Sequence, residues 1–145
     1  MPRAMMTVLL LLPGVLGCGD DPVSATGRIV IRLSGMNEGD IVGGTLEEMK
    51  NISTESGNPY AAFVRDAEAA LGREPGRIDV TAVQITLSGD SRGVAGLEEV
   101  FTGPVDVFLE ADVGGRVAVG RVTNPTGTGP VDCSVVSSSA TLDAI

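Results

Sequence analysis

Histidine does not occur in this chain, and lysine occurs once, at Lys50. Without imidazole the protein lacks the side chain best matched to proton transfer near neutral pH, and the commonest nitrogen ligand for metals. Tryptophan is also missing, and one tyrosine and three phenylalanines make up the whole aromatic content. A core must therefore be assembled from Val, Leu, Ile and Ala, which favours many small β-branched contacts over aromatic anchors. Sugar-stacking platforms are equally scarce, since only Tyr60, Phe63, Phe101 and Phe108 are on hand. Ten basic residues face nineteen acidic ones, for a net charge of −9. No Lys/Arg stripe concentrates positive charge, so nucleic acid is excluded as a partner. The two cysteines, Cys18 and Cys133, are too few for a disulfide framework.

What is present begins with MPRAMMTVLLLLPGVLGCGDD. Arg3 is the only charged side chain before Asp20, and Ala4 to Leu12 is apolar throughout except for Thr7. These nine residues make a helix of about 14 Å against a hydrocarbon core of about 30 Å, too short for a span but the size of a secretory h-region. Pro13-Gly14 then breaks the run. At Val15-Leu16-Gly17-Cys18 the segment resembles the lipobox of bacterial lipoproteins, with an aliphatic residue, a tolerant position, a small residue and then cysteine. The resemblance covers residues 1–18. It implies signal cleavage between Gly17 and Cys18, a diacylglycerol on the Cys18 sulfur and acylation of the new amino group. In that family's sorting pattern an aspartate directly after the cysteine retains the protein at the inner membrane. Gly19 stands there in this chain, which implies the outer membrane.

Residues 1–17 are thus expected to be a signal peptide, and residues 18–27 a lipidated cysteine with a polar tether. A single globular domain over 28–137 follows, with a tail at 138–145; the length suits one core and is too short for two. Arg28 to Ser34 alternates, with Ile29, Ile31 and Leu33 on one face, and predicts a strand. Gly35 to Gly44 reads as a loop, and Thr45 to Lys50 as a helical turn with Leu46 and Met49 three apart. The spacing predicts one full helix over 59–71. Asn58 caps it, Pro59 starts it, and Gly72 ends it, with Tyr60, Phe63, Val64, Ala67 and Leu71 on the inner face. Ile78 and Val80 share one parity while Val83, Ile85 and Leu87 share the other, so a bulge near Thr81-Ala82 or a change of sheet is expected. Residues 104–123 read as a β-hairpin turning at Gly114-Gly115, and Val131, Cys133 and Val135 as a final strand with a buried thiol. The fold expected is mainly β, an antiparallel β-sandwich of immunoglobulin-like architecture with one inserted α-helix. The alternative is an α+β fold with the helix on one antiparallel sheet.

Chemical motifs are few. Gly89-Asp90-Ser91-Arg92-Gly93 spells G-x-S-x-G after an apolar strand, the spacing of a nucleophile elbow, but no histidine is present to take the serine proton. Asn37, Glu38 and Asp40 form a weak oxygen-ligand set for calcium without the EF-hand ladder. Glu47-Glu48 and Glu98-Glu99 are adjacent pairs, which splay apart on a helix or strand and so do not face each other across a cleft. The expectation is a non-enzymatic, cofactor-free lipoprotein of the cell envelope, tied to the membrane by Cys18 and acting on an envelope protein partner. A calcium- or carbohydrate-binding surface module is the alternative, and a serine hydrolase using Ser91 the next.

Overall fold

In the computed structural model, residues 4–11, 24–52, 59–111 and 115–136 are described, with Met6 the only side chain placed in the first of these segments. The fold is mainly β and antiparallel, with one α-helix. Its strands are β1 (Ala4–Leu11), β2 (Arg28–Met36), β3 (Ile41–Val42), β4 (Thr45–Leu46), β5 (Ala82–Leu87), β6 (Pro104–Ala111), β7 (Gly115–Thr123) and β8 (Val131–Val135). The helix, α1, spans Pro59–Leu71. Six strands form one continuous sheet in the order β2-β1-β5-β8-β7-β6, and β3 and β4 make a separate two-stranded ribbon.

The alternation expected along β2 is present. Ile29 is buried and Ile31 and Leu33 are half-buried, while Arg28, Arg32 and Ser34 are exposed. Between Leu33 and Met36 the strand carries one more residue than β1 opposite it, and Gly35 absorbs the bulge at φ +101°. Helix α1 runs as the spacing predicts: Phe63 and Ala67 are buried, and Gly72 closes the helix at φ +68°, its N–H donating to Glu68 O at 2.8 Å. Asn58, the expected cap, lies outside the described residues.

Two local expectations are corrected. Thr45-Leu46 is β4, pairing with Val42 and Ile41 through a Gly43-Gly44 turn, and residues 47–50 carry no regular structure. The Leu46/Met49 spacing loses because both glycines there adopt positive φ, which favours a tight hairpin, and Met49 is left exposed. The parity change before β5 is not a bulge inside a strand. Residues 77–81 are irregular, and the strand begins only at Ala82, after which Val83, Ile85 and Leu87 are all buried.

The β6/β7 hairpin has the expected bounds, and it contains a bulge that pairing by parity misses. Val107 faces Gly120 and Phe108 faces Ala118, so Val119 is the extra residue. Both Val119 and Gly120 are therefore buried. The apolar positions Val117 and Val119 share one parity and Val122 the other, and that change was the available sign of the bulge. Gly120 is also where the sheet curls on itself. A Cβ there would lie 2.9 Å from Val83 Cγ1 and 3.2 Å from Cys133 Cβ. The core is aliphatic: Val83, Ile85, Leu97 and Val119 are fully buried, with Met6, Ile29, Met36, Leu87, Val107 and Cys133 around them and Phe63 the single aromatic.

The run expected to be an h-region is β1, in the interior of the sheet. It pairs antiparallel with β2 on one side and β5 on the other. Hydrophobicity does not distinguish these uses, because a short continuous apolar run satisfies an interior strand and a leader alike. In the intact chain the sheet thus takes in a strand from outside residues 28–137.

Candidate functional site

Residues 24–27 lead into β2 at Arg28. Gly17, Cys18 and Gly19 lie outside the described residues, which resume at Ser24. Ala25, Thr26 and Gly27 then run along α1 into β2. The Phe63 ring lies so close to Gly27 that a Cβ there would sit 2.4 Å from Cδ2. Glycine is required at this position by the aromatic ring above it. An open cleft of about 570 Å³ lies here between the entering strand and the helix, with Arg28 and Asp66 as its charged residues.

Ser91 is not placed as a nucleophile elbow. That motif needs a strand, a sharp turn and then a helix whose N-terminus helps to stabilise an oxyanion. Here β5 ends in a turn where Ser91 N donates to Ser88 O at 3.0 Å and Asp90 N to Ser88 Oγ at 3.3 Å. The chain passes on through Arg92 and Gly93 to a single 3₁₀ turn at Leu97–Glu99. The seryl loop serves to turn the chain.

The oxygen set at Asn37, Glu38 and Asp40 is engaged in holding its own loop. Asn37 Oδ1 accepts from Gly39 N at 2.9 Å. Asp40 Oδ2 accepts from Asn37 N at 2.9 Å and from Asn37 Nδ2 at 2.7 Å, completing a capping box around the 3₁₀ turn Glu38–Asp40. Asp40 thus faces hydrogen-bond donors, and Glu38 is exposed. No group of three or more His, Cys, Asp or Glu gathers as a metal cage among the described residues.

The pair Glu98-Glu99 has a structural use that sequence reasoning missed. Glu98 Oε2 accepts from Gly127 N at 2.7 Å, and Leu97 N donates to Gly127 O at 2.8 Å. Glu99 Oε2 accepts from Ala95 N at 3.1 Å. Leu87 N donates to Thr128 O at 2.9 Å, so the Thr/Gly/Pro loop over 124–130 is fastened to both the 3₁₀ turn and β5. Glu98→Ala should weaken this fastening by about 1 kcal/mol, a charge-assisted bond on an exposed side chain. Chemical denaturation of Glu98→Ala against Glu98→Gln measures it, the amide retaining one acceptor.

Phe108 stands on the outer face, 45% exposed, with the Arg116 guanidinium 5.3 Å from its ring centre. Arg116 also bridges Glu47 at 2.7 Å and Glu110 at 3.2 Å, joining the hairpin to the segment after β4. Four register positions along the hairpin, Arg121 pairs with Asp106 and holds that carboxyl below the usual carboxylate range. This face of the hairpin is a set of cross-strand ion pairs around one aromatic ring.

Cys133 is the buried small hydrophobe its alternation predicts. Burial, helped by the neighbouring Asp132 charge, pushes its thiol up to about 11. A thiol whose folded pKa is raised favours folding fully below its unfolded pKa, and loses that contribution as pH rises through the folded value. Stability should therefore fall between about pH 9 and pH 11 in the native sequence and fall less in Cys133→Ala. Melting curves across that range decide the point. The chain matches no protein-family model, no curated protein and no solved structure.

Proposed function

We propose that the protein is a lipoprotein of the bacterial cell envelope, anchored through Cys18, whose β domain acts by binding rather than by catalysis. The observation that carries this reading is Val15-Leu16-Gly17-Cys18 placed two residues behind the Ala4 to Leu12 run, apolar except for Thr7, and ahead of Gly19-Asp20-Asp21-Pro22. Two or three acyl chains on one residue exceed the marginal, reversible anchoring that a single chain provides. The polar stretch after Cys18 then keeps the domain in water, and Gly19 in place of aspartate favours the outer membrane. No helix among the described residues is long and apolar enough to cross a membrane. We read the curled sheet as a sandwich-like body whose halves share β8, the inner faces meeting where Gly120 approaches Val83 and Cys133. A binding role rests on the lack of histidine and on the turn geometry at Ser91.

The test is the intact mass of the native protein purified from the membrane of a lipoprotein-processing bacterium. A chain that starts at Cys18 and carries fatty acyl mass is expected; an unacylated chain with its original N-terminus overturns the reading.

A further inference from the structure

The strand β1 lies wholly ahead of Cys18, so the processing proposed above removes it from the sheet it helps to build. We propose that the processed protein carries an open strand slot between β2 and β5, and that the slot takes an extended segment of another envelope protein, apolar at alternate positions and acidic between them. This inference rests on the lipoprotein reading.

The two banks of the slot are defined by register. Residues 6–11 of β1 lie opposite Leu33 to Arg28 on one side and opposite Leu87 to Ala82 on the other. Both banks run antiparallel to β1 and hence parallel to each other, separated by two strand spacings, about 9.5 Å. Each bank also keeps a neighbour other than β1, α1 for β2 and β8 for β5. On the β2 side, Gly27 is packed under the Phe63 ring of α1. On the β5 side, Gln84 Nε2 donates to Asp132 Oδ1 at 2.7 Å, and Leu87 N is tied to Thr128 O. Removing β1 leaves two facing rows of backbone N–H and C=O groups without partners, flanked by Ile29, Ile31, Val83, Ile85 and Leu87. Unpaired groups beside an apolar surface recruit another strand.

Register also states what that strand must be. Positions 6, 8 and 10 of β1 share a face with Leu33, Ile31 and Ile29, and with Leu87, Ile85 and Val83, so they require apolar residues. Positions 7 and 11 share the outer face with Arg32 and Arg28. Neither guanidinium pairs with a carboxylate among the described residues, although acids outnumber bases nearly two to one in the chain. These two guanidiniums make the outer face of the β2 bank cationic. Carboxylates at positions 7 and 11 of an occupant complement it.

The experiment uses the full chain, with a protease site placed between residues 12 and 23 so that folding precedes the cut. The cut protein is mixed with fluorescent peptides of residues 4–11 carrying Thr7→Glu with Leu11→Glu, Thr7→Lys with Leu11→Lys, or Val8→Pro. Anisotropy and amide exchange of β2 and β5 are read. The acidic peptide is expected to displace residues 4–11 and protect both banks. Its affinity should exceed that of the basic peptide by tenfold or more at low salt, with the gap narrowing as salt rises. The proline peptide should not enter. Equal binding of all three, or no exchange, overturns the proposal. A processed native protein whose β2 and β5 amides are protected as a pure monomer has closed the slot by direct pairing, which overturns the slot and leaves the lipoprotein reading standing. A native chain that retains residues 1–17 overturns both.

Discussion

Cys18→Ser is expected to yield a product with no fatty acyl mass and with residues 1–17 still attached. The thioether forms on a thiolate, and a serine hydroxyl is far too weakly acidic to replace it at neutral pH. The effect on anchoring is large because each buried methylene contributes about 0.8 kcal/mol, and two or three chains together hold a protein that one chain holds only reversibly. Intact mass reads the modification. Flotation of membranes in a density gradient reads the anchoring, with carbonate washing to strip protein that is only adsorbed. Gly19→Asp makes the companion variant. It should keep its acyl mass and shift from the outer-membrane to the inner-membrane fraction if the sorting pattern of the lipoprotein family applies. Full acylation of Cys18→Ser is the result that cannot be reconciled with Cys18 as the attachment point.

Ile85→Ala should lower the unfolding free energy by about 3–5 kcal/mol. Ile85 is 0% exposed, in an interior strand flanked by β1 and β8. Its replacement removes apolar contact and leaves a cavity that its neighbours are poorly placed to fill. On one side the backbone is pinned, since a Cβ on Gly129 would already lie 2.7 Å from Ile85 O. Against a total stability of about 5–15 kcal/mol the loss is a large fraction, and the variant should melt far below the native protein. Thr86→Ala is the control, because Thr86 is only half-buried and points to the other face; it should change stability by less than about 1 kcal/mol. Equal losses at the two positions would mean that β5 does not present its odd-numbered residues to the core. Urea midpoints with the slope compared between variants make the measurement.

The sequence by itself determined the local elements whose signals lie within a few residues. Pro59 and Gly72 mark the ends of α1 because a ring-fixed φ and a left-handed backbone are properties of single residues. The alternations of Arg28–Leu33 and Val131–Cys133 placed β2 and β8, and the absence of tryptophan led to an aliphatic core. The lipobox resemblance is likewise a matter of four adjacent side chains. What only the tertiary structure decided depends on partners distant in the chain. The bulge at Val119 is fixed by Val107 and Phe108 across the hairpin, and Glu98 finds its use only because the loop at Gly127 comes back over it. Ala4–Leu11 shows the limit most sharply: eight residues of nearly unbroken hydrophobicity have no period from which to choose a setting. Strand or leader is settled by what surrounds the segment, and the two facing sheet edges that flank it in the fold are not encoded within it.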